Sequence, residues 1–546
     1  MRQHHIDPEN NLPDAALPIV LVGLPGAGKT SVARELARLT GLNSVDTDAE
    51  VRRRTRMTIP EIFAERGEAG FREVEHRAIA HTLSLAHGVV ALGGGAVLHP
   101  GTRELLRDHT VVHLLVDPEE AACRVGAGGG GRPLLAQDPV ARLEVLSQQR
   151  EGLYHQVATV AVDTVGRTPE QIATDIIEQV RLGIGRTTRI EVGGQSPYKV
   201  AVGHGLEAEV AAQVGTVPGR AVIVHPHALA QRARQLAEHL EFSPATSPEL
   251  KVVLHPIPDG EGAKTLEVTA GIWEVLGRER AGRQDVVIGL GGGACTDQAG
   301  FAAATWLRGV GVIQVPTTVL AMVDAAVGGK TGINTEAGKN LVGAFHPPRA
   351  VVCDLEALRT LPQIERVTGL AEVIKCGFIS DPMILERVEG HAQGLVDGPV
   401  EELREVMERA IAVKAAVVSA DLREAGLREF LNYGHTLAHA IERNENYQLR
   451  HGAAVSIGCV YAAALAEELG VAPPGLVEHH RRLLRAVGLP VTYAGDFAPL
   501  REFMASDKKV RSRSLRFVLL SELGKPAVHV VDDEAALERA YEAVRA

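Results

Sequence analysis

The chain has 546 residues, enough for about three or four compact domains and too many for one small module. Hydrophobic residues make up 45% and charged residues 23%, which excludes a disordered or collagen-like chain. The net charge of -11 gives no electrostatic signal for a nucleic acid or an anionic membrane as partner, whereas small anionic ligands stay possible.

Apolar length and cysteine usage bear on location and on metal chemistry. The longest apolar stretch, 453–466, is shorter than the ~20 residues that span a bilayer, and residues 1–11 contain no apolar signal-peptide segment. We therefore expect a cytoplasmic protein. Five scattered cysteines without a CxxC pair argue against a disulfide framework and a thiolate zinc site, so any metal needs histidine and carboxylate ligands.

Strand-like and helix-like segments alternate along most of the chain and predict an α/β protein. Strands are predicted at 19–22, 89–92, 111–116, 222–224, 286–289, 312–315 and 515–520, with a helix at 31–40. After Pro362, long amphipathic stretches such as 401–420 and 453–469 predict a mainly helical part. The predicted segments are a tail (1–17), a first α/β domain (18–182), a linker (183–189), a second α/β domain (190–361) and a helical domain (362–546).

A phosphate-binding motif stands between the first predicted strand and helix. Residues 23–30, Gly-Leu-Pro-Gly-Ala-Gly-Lys-Thr, fit G-x-x-x-x-G-K-[ST], a turn whose backbone N–H groups wrap phosphates. Lys29 would reach the β- and γ-phosphates, and Thr30 would hold Mg²⁺. The motif predicts ATP binding by Gly26, Ala27, Gly28, Lys29, Thr30 and Ser31.

Further residues of the first domain suit a kinase. Asp46 and Asp48 follow a short apolar segment, and two carboxylates one residue apart at a strand end point to the same side. One can serve Mg²⁺ through water and the other can accept a proton, unless both lie in a solvated turn. Arg132 follows the glycine-containing run 126–131, as a lid arginine would, although an ordinary exposed arginine is the alternative.

Taken together, residues 18–180 resemble shikimate kinase. Beyond the phosphate-binding motif, the matching stretches are 46–48, 67–75, 93–95, 131–135 and 150–154. The resemblance implies Mg²⁺ near Thr30 and, through water, Asp46, with Arg124 near the adenine and Arg132 near the phosphates. It implies that shikimate is bound by Asp48, Arg72, Gly94, Gly95 and Arg150. Gly152 stands where the family more often has proline, and we expect a looser loop there without loss of activity.

The remaining sequence contains a glycine turn and a candidate metal set. Gly289-Leu-Gly-Gly-Gly-Ala-Cys-Thr-Asp297 lies between a predicted strand and helix, where a backbone can approach a pyrophosphate, although it is not the G-x-G-x-x-G fingerprint. Glu372, two histidines on one helix face (His435 and His439) and His451 offer the carboxylate and two imidazoles of a catalytic zinc site. Ordinary surface histidines are the alternative, and spacing does not say which two bind.

Residues 190–545 resemble 3-dehydroquinate synthase, with collinear matches at 258–264, 291–297, 302–309, 316–318, 324–334, 371–375, 426–428, 432–442 and 507–509. The resemblance implies zinc or cobalt on Glu372, His435 and His451. It implies NAD contacts from Asp259, Glu261, Lys264, Gly292, Gly293, Asp297, Thr317, Thr318, Lys330 and Lys339. The implied substrate contacts are Arg308, Asp324, Lys330, Asn340, Lys375, Lys414, Arg428, Asn432, His439 and Lys508, of which Asp324, Lys330, Lys375, Lys414 and His439 would be catalytic.

Two further implications concern assembly and departures from the family. Arg308 would reach the phosphate from a neighbouring subunit of a homodimer formed by the synthase half. The chain has His451-Gly-Ala453 where His-Gly-Glu is usual. Pro226 stands where the family often has Asp or Asn near the ribose of the adenosine. Both departures bear on NAD affinity and on the support of the metal ligands more than on the chemistry.

The expected function is therefore bifunctional. The first domain would transfer the γ-phosphoryl group of ATP to shikimate, and the rest would convert 3-deoxy-D-arabino-heptulosonate 7-phosphate to 3-dehydroquinate and phosphate with NAD and zinc. The alternatives are another small-molecule P-loop kinase, another sugar-phosphate cyclase or a polyol dehydrogenase, and a nucleotide- and metal-binding regulator without turnover. The partners expected are small molecules, with neither nucleic acid nor membrane.

Overall fold

The structure is a computed structural model that describes residues 12, 16–107, 109–127, 138–181, 186–336, 338–424, 426–506 and 515–546. The chain divides into two compact units, Met1–Arg186 and Thr187–Ala546. Within the described ranges, no helix is long and apolar enough to cross a membrane.

The first unit is a five-stranded parallel sheet with helices on both faces. The strand order is β2-β3-β1-β4-β5, and the residues of β1 are all buried, as expected for a central strand covered on both sides. The strands are β1 (Ile19–Val22), β2 (Ser44–Asp46), β3 (Val89–Ala91), β4 (Thr110–Leu115) and β5 (Val160–Asp163). The helices are α1 (Lys29–Thr40), α2 (Thr47–Thr55), α3 (Ile59–Leu85), α4 (Pro100–Leu106), α5 (Pro118–Ala127), α6 (Pro139–Val157) and α7 (Pro169–Arg181).

Strand alternation divides the core of this unit in two. Ile19 and Leu21 belong to the apolar cluster that includes α1 and α7, whereas Val20 and Val22 belong to the cluster on the opposite face. Because the strands of this sheet are all parallel, the turn after β1 lies at the carboxyl edge of the sheet, where ligands of such folds bind. The expected P-loop α/β domain is confirmed.

The second unit begins with a seven-stranded sheet of order β6-β7-β14-β11-β10-β8-β9, in which only β6 is antiparallel to its neighbour. Its strands are β6 (Thr188–Val192), β7 (Tyr198–Gly203), β8 (Arg220–Pro226), β9 (Lys251–Ile257), β10 (Val286–Gly291), β11 (Gly311–Pro316) and β14 (Ala350–Asp354), with a separate hairpin of β12 (Lys330–Thr335) and β13 (Gly338–Phe345). Its helices are α8 (Glu207–Val214), α9 (Ala230–Phe242), α10 (Leu266–Arg278) and α11 (Gly293–Thr305). Because β6 begins at Thr188, residues 188–189 belong to a strand and not to the expected linker.

The rest of the second unit is mainly helical, as expected. Its helices are α12 (Gln363–Ile379), α13 (Pro382–Asp397), α14 (Arg404–Ala420), α15 (His435–Asn444), α16 (His451–Glu468), α17 (Leu476–Ala486), α18 (Phe497–Ser506) and α19 (Glu534–Glu542), with a hairpin of β15 (Leu515–Leu520) and β16 (Pro526–Val531). The predicted helix 401–420 begins as a 3₁₀ turn, Val400–Leu403, before α14. One apolar cluster joins this part to β7 and β14.

Gly152 contradicts one expectation, since it lies inside α6 and not in a loop. It is exposed, and a Cβ built on it meets no atom within 4 Å. Glycine in a helix interior therefore costs stability here without any steric reason for its presence.

We predict that Gly152→Ala raises the free energy of unfolding of the first unit by about 0.5–1 kcal/mol, because alanine loses less backbone entropy in a helix. Urea titration of the full chain, with pulse proteolysis reporting the fragment that contains α6, measures this change. Gly26→Ala is the contrasting variant and should destabilise, since Gly26 has a φ of 91° and its Cβ would lie 2.5 Å from a carbonyl oxygen. A neutral or destabilising Gly152→Ala contradicts the prediction.

Candidate active sites

The turn between β1 and α1 has the backbone conformation of a phosphate cradle. Gly26 and Gly28 have left-handed φ angles of 91° and 89°. The Nζ of Lys29 donates to the carbonyl oxygens of Gly23 at 2.8 Å and Leu24 at 2.9 Å, across the turn. Because the N-cap of α1 is a glycine, the helix begins without a side-chain cap. Its first N–H groups suit phosphate oxygens.

Asp46 and Asp48 occupy different elements, which corrects the expected strand alternation. Asp46 ends β2 and caps α2, with Oδ1 accepting from the Asp48 N–H at 3.0 Å. Asp48 lies in the first turn of α2 because the helix begins at Thr47. Oδ2 of Asp46 accepts from the Thr30 hydroxyl at 2.7 Å. The two residues expected near Mg²⁺ are thus in contact.

Two arginines converge on the glycine run that follows β3. Arg150 donates from Nη1 to the Gly94 carbonyl at 2.9 Å, and a Cβ on Gly95 would lie 2.3 Å from the guanidinium of Arg72. Glycine at position 95 is therefore what allows Arg72 to lie there. Among the described residues, the Nε of each arginine is buried and has no hydrogen-bond partner. The two guanidinium groups lie beside the same glycine run, and such planar forks of N–H donors suit an anion.

Glu75 is a charged residue of this site that the sequence reasoning did not single out. Its Oε2 accepts from Nη1 of Arg72 at 2.7 Å, and it is 2% exposed. Burial, with a smaller contribution from the negative charge of Asp48, raises the pKa of the Glu75 carboxyl to about 7 against the opposing charge of Arg72. The contact with Arg72 at a spacing of three on α3 is the sequence signal that could have identified it.

Arg124 and Arg132 are the remaining predicted kinase residues, and the structure describes only Arg124. Arg124 donates to the side-chain and carbonyl oxygens of Thr164 at 3.1 and 2.6 Å, and to Glu120 at 2.5 Å. Arg132 lies outside the described residues. The glycine-containing run before it begins within α5, which extends to Ala127, so its first two residues are helical and not a flexible lid.

A cavity of about 1020 Å³ lies at the carboxyl edge of β8, β9, β10 and β11 and is closed by the helical part of the same unit. This edge is where open parallel sheets bind their ligands. The cavity collects most of the predicted synthase residues: Glu261, Lys264, Gly292, Gly293, Asp297, Thr318, Asp324, Lys330, Lys339, Asn340, Lys375, Lys414, Arg428, Asn432, His435, His439 and His451. Pro226, one of the two departures, also lines it.

The glycine turn after β10 is backed by a buried ion pair. Lys264 donates from Nζ to Oδ2 of Asp297 at 2.6 Å and also contacts Oδ1 of Asn340. Burial raises the pKa of the Asp297 carboxyl to about 6, although the Lys264 ammonium opposes this shift. Two predicted NAD residues do not line the cavity: Asp259 accepts from a backbone N–H at 3.2 Å, and Thr317 donates from its N–H to a carbonyl at 3.0 Å.

Glu372, His435 and His451 form a group of potential metal ligands whose donor atoms lie within 4.8 Å of one another. Oε1 of Glu372 is 3.5 Å from Nε2 of each histidine and is buried, with no hydrogen-bond partner among the residues that the structure describes. Nδ1 of His435 bonds the Tyr433 carbonyl at 3.1 Å, and Nδ1 of His451 lies 3.5 Å from Oε2 of Glu442. These contacts orient both Nε2 atoms toward Glu372.

The pKa values of the three potential metal ligands are strongly shifted. Burial raises the pKa of Glu372, but Lys375 and the histidines outweigh it and hold the pKa well below its usual range. Burial lowers the pKa of His435 to about 3. Burial also lowers the pKa of His451, but Glu372 and Glu442 outweigh it and raise the value to about 10. His439, in contrast, is exposed in the cavity, with its ring 5.3 Å from that of His435.

Cationic side chains from several elements line the rest of the cavity. Asp324, in a π-helical turn at Ala321–Ala325, pairs with Lys414 of α14, whose Nζ also donates to the Asp324 carbonyl at 2.5 Å. Arg428 is buried and donates to backbone carbonyls at 3.1 and 2.5 Å. Lys330 pairs with Glu424 at 2.5 Å. Lys339 lies 4.1 Å from the centroid of the Tyr447 ring.

Two predicted substrate residues are not placed in the cavity. Arg308 is exposed in the turn after α11 and does not line the cavity, and Lys508 lies outside the described residues. Conversely, the structure adds Glu424, which accepts from Asn432 at 2.8 Å as well as from Lys330, and Glu442 beside His451. Neither glutamate belongs to a contiguous motif, and their contacts with Lys330, Asn432 and His451 arise from the packing of different elements.

Comparison with known proteins gives a family for each unit. Family profiles match shikimate kinase at residues 25–181 and the N- and C-terminal domains of 3-dehydroquinate synthase at 254–368 and 369–510. The chain is 55% identical over 359 residues to the 3-dehydroquinate synthase of Thermobifida fusca (strain YX), covering 65% of this chain and 96% of that protein. It is 51% identical over 353 residues to that of Mycobacterium leprae (strain TN), covering 64% and 96%. A solved 2-deoxy-scyllo-inosose synthase, complexed with carbaglucose-6-phosphate, NAD⁺ and Co²⁺, is 26% identical with a TM-score of 0.58, covering 65% of this chain and 99% of that one.

The folds and sites define a chain with two enzymes, a P-loop phosphotransferase followed by a lyase on a dinucleotide-type sheet. The second unit belongs to the 3-dehydroquinate synthase family, and the first contains a shikimate kinase domain. The chain is therefore a bifunctional enzyme of the shikimate pathway. Its 55% identity to a 3-dehydroquinate synthase, against 26% to another cyclase, removes the alternative cyclase and the regulator without turnover.

Proposed function

We propose that the second unit holds one zinc or cobalt ion on Glu372, His435 and His451 and performs the synthase reaction there. The observation that carries this proposal is the buried Oε1 of Glu372, which faces both Nε2 atoms at 3.5 Å and has no hydrogen bond within the described part of the chain. A carboxylate and two imidazoles are ligands that zinc prefers, and three protein ligands leave a position open for substrate. The related synthase solved with Co²⁺ and NAD⁺ supports the same pair here.

The glycine turn after β10 fits NAD. A Cβ on Gly292 would lie 3.3 Å from Thr318, and one on Gly293 would lie 3.2 Å from Ala325, so side chains at these positions would crowd the cavity wall. The N-cap of α11 is Gly292, without a side-chain cap. Glycines at this point let a backbone approach a pyrophosphate, as ligands at the switch point of an open sheet require.

The other residues that line the cavity bind the substrate and transfer a proton. When bound, the metal polarises a substrate hydroxyl and NAD takes up and returns a hydride. Lys375, Lys414 and Arg428 bind the carboxylate and phosphate of the heptulosonate phosphate, because all three cations are buried and face one cavity. Lys330, Asn340 and Asn432 add hydrogen bonds to the same substrate. His439 is exposed to the cavity, and it accepts the proton that the substrate hydroxyl releases and passes it to solvent.

In the first unit, the residues around the phosphate cradle bind ATP, Mg²⁺ and shikimate. Lys29 binds the β- and γ-phosphates of ATP, while Thr30 and Asp46 hold Mg²⁺, the aspartate through water. Asp48 accepts the proton of the shikimate 3-hydroxyl. Arg72 and Arg150 bind the shikimate carboxylate with their guanidinium groups, and Glu75 holds Arg72 in place.

The two sites are expected to fail independently when single residues are changed. Lys29→Met should lower shikimate phosphorylation at least ~100-fold and leave the synthase rate unchanged, since its charge serves only phosphates. His451→Ala should do the reverse, because a three-ligand site that loses one ligand does not retain zinc. Separate assays of both reactions on the full chain, with zinc content by mass spectrometry, measure these effects.

The exposed Lys199→Met and His239→Ala variants are matched controls and should change neither activity. Equal losses of both activities in Lys29→Met would contradict the separation of the sites. Full zinc occupancy in His451→Ala would contradict the metal assignment.

We propose that the second unit forms a homodimer in which Arg308 serves the partner's cavity. Leu307 and Arg308 have left-handed φ angles of 50° and 67°, a strained conformation that presents the arginine to solvent. The neighbouring β13 exposes Val342 (45%) and Phe345 (46%), apolar residues that suit an interface. The two features lie together, since Nε2 of His346 bonds the Val310 carbonyl at 2.8 Å.

Mixing two inactive variants tests this arrangement. Arg308→Ala and His451→Ala each lack synthase activity, but a mixed dimer has one cavity with all three metal ligands and an Arg308 supplied by the partner. Random exchange should restore about a quarter of the wild-type rate, because half of the dimers are mixed and one of their two cavities is complete. Sedimentation velocity checks the dimer itself. No recovery from an exchanged mixture would show that Arg308 does not act across an interface.

We propose that residues 18–182 and 190–546 function as separate enzymes in the cytoplasm. The division of the chain at Arg186 supports this proposal, as do five cysteines that are all free thiols. A protease site inserted between Arg181 and Arg186 avoids β6 and tests it. After cleavage, both soluble fragments should retain close to their original turnover, as the separate assays report. A large loss in either folded fragment would show that one enzyme needs the other.

A further inference from the structure

Gln298 is a buried polar residue that none of the assigned roles uses. It lies on α11 beside Asp297, and its side chain is completely buried. An amide removed from water destabilises the fold unless its hydrogen bonds are replaced within the protein. The partners of Gln298 therefore indicate its purpose.

The hydrogen-bond partners of this side chain in the described ranges lie on one segment. Nε2 donates to the carbonyl oxygens of Ala263 at 2.5 Å and Thr265 at 2.8 Å, and Oε1 accepts from the Thr269 hydroxyl at 2.8 Å. Residues 263–269 comprise the end of the 3₁₀ turn after β9 and the start of α10. Gln298 thus attaches α11 to the loop at the neighbouring strand end.

The attached segment contains Lys264, which lies between the two carbonyls that Gln298 binds. The Nζ of Lys264 bonds Asp297, the residue before Gln298. Two consecutive residues of α11 therefore hold Lys264, one through its side chain and the other through its flanking backbone. Glu261 lies in the same 3₁₀ turn and lines the cavity.

We propose that Gln298 is a positioning residue for NAD. It keeps Lys264 and Glu261 at a fixed position relative to the glycine turn at 291–293. Gln298 does not line the cavity, so it acts through these residues and not by touching the dinucleotide. The inference rests on the proposed NAD site. It predicts an effect on NAD affinity alone, since the described partners of Gln298 are Ala263, Thr265 and Thr269, which are not metal ligands.

Gln298→Leu removes the three hydrogen bonds while keeping a side chain of similar size. Isothermal titration calorimetry of the zinc-loaded full chain with NAD⁺ should show a Kd raised roughly three- to tenfold, since the bonds from Nε2 that attach residues 263–265 to α11 are lost. Zinc content and shikimate kinase rate should equal those of the wild type. Gln298→Met, an unbranched replacement, provides a second variant if the leucine impairs folding.

Gln314→Leu is the matched control. Gln314 is also buried and bonds α11, through the Thr296 carbonyl at 2.9 Å, but it does not touch residues 263–269. Its Kd for NAD⁺ should stay within about twofold of the wild type. An unchanged Kd in folded Gln298→Leu, or an equal rise in Gln314→Leu, overturns the proposal.

Hydrogen exchange of the wild-type chain provides a test without substitution. Adding NAD⁺ should protect the amides of 263–269 and of 293–298 together, and protection of one segment without the other overturns the inference. Failure of the unsubstituted, zinc-loaded chain to bind NAD⁺ would overturn the NAD site itself and this inference with it. That outcome is distinguishable because it appears before any residue is changed.

Discussion

Burial of Glu372 and Lys375 on α12 is the constraint around which the catalytic part of the second unit is arranged. Both side chains are 2% exposed and form an ion pair, and every residue from Arg366 to Ile379 is buried. Charges in such a place destabilise the fold unless their remaining polar atoms are satisfied. No described residue forms a hydrogen bond with Oε1 of Glu372, and the groups that face this atom are the first residues of α15 and α16, His435 and His451.

The sheet supplies the other half of the same cavity. Parallel strands β8 to β11 end at one edge, where the glycine turn, the Lys264–Asp297 pair and Thr318 lie. The π-helical turn then carries Asp324 to Lys414 on α14, and so connects the sheet edge to the helical part. A dinucleotide, a metal and an anionic substrate can meet in one cavity because the crevice of the sheet opens against buried helices.

The two enzymes of this chain catalyse steps that are not consecutive. Conversion of 3-dehydroquinate to shikimate requires loss of water and a two-electron reduction, so the product of the second unit is not the substrate of the first. The described residues proposed for each site lie within one unit, and only Arg308 is proposed to act on a partner chain. Joining them in one chain therefore sets their amounts at one to one and has no chemical basis as a channel.

The phosphate cradle, the glycine turn and the α/β class follow from sequence because each depends on neighbouring residues, whose backbone geometry is local. The metal set does not, since Glu372, His435, His439 and His451 come from three helices. Only packing shows that His451 faces Glu372 while His439 opens to the cavity. The same reason explains Asp48, which lies in a helix started by the Asp46 cap, and Gln298, whose partners are about 30 residues away. Contiguous motifs are determined by the local chain, whereas contacts between distant elements are decided by the burial and pairing of their side chains.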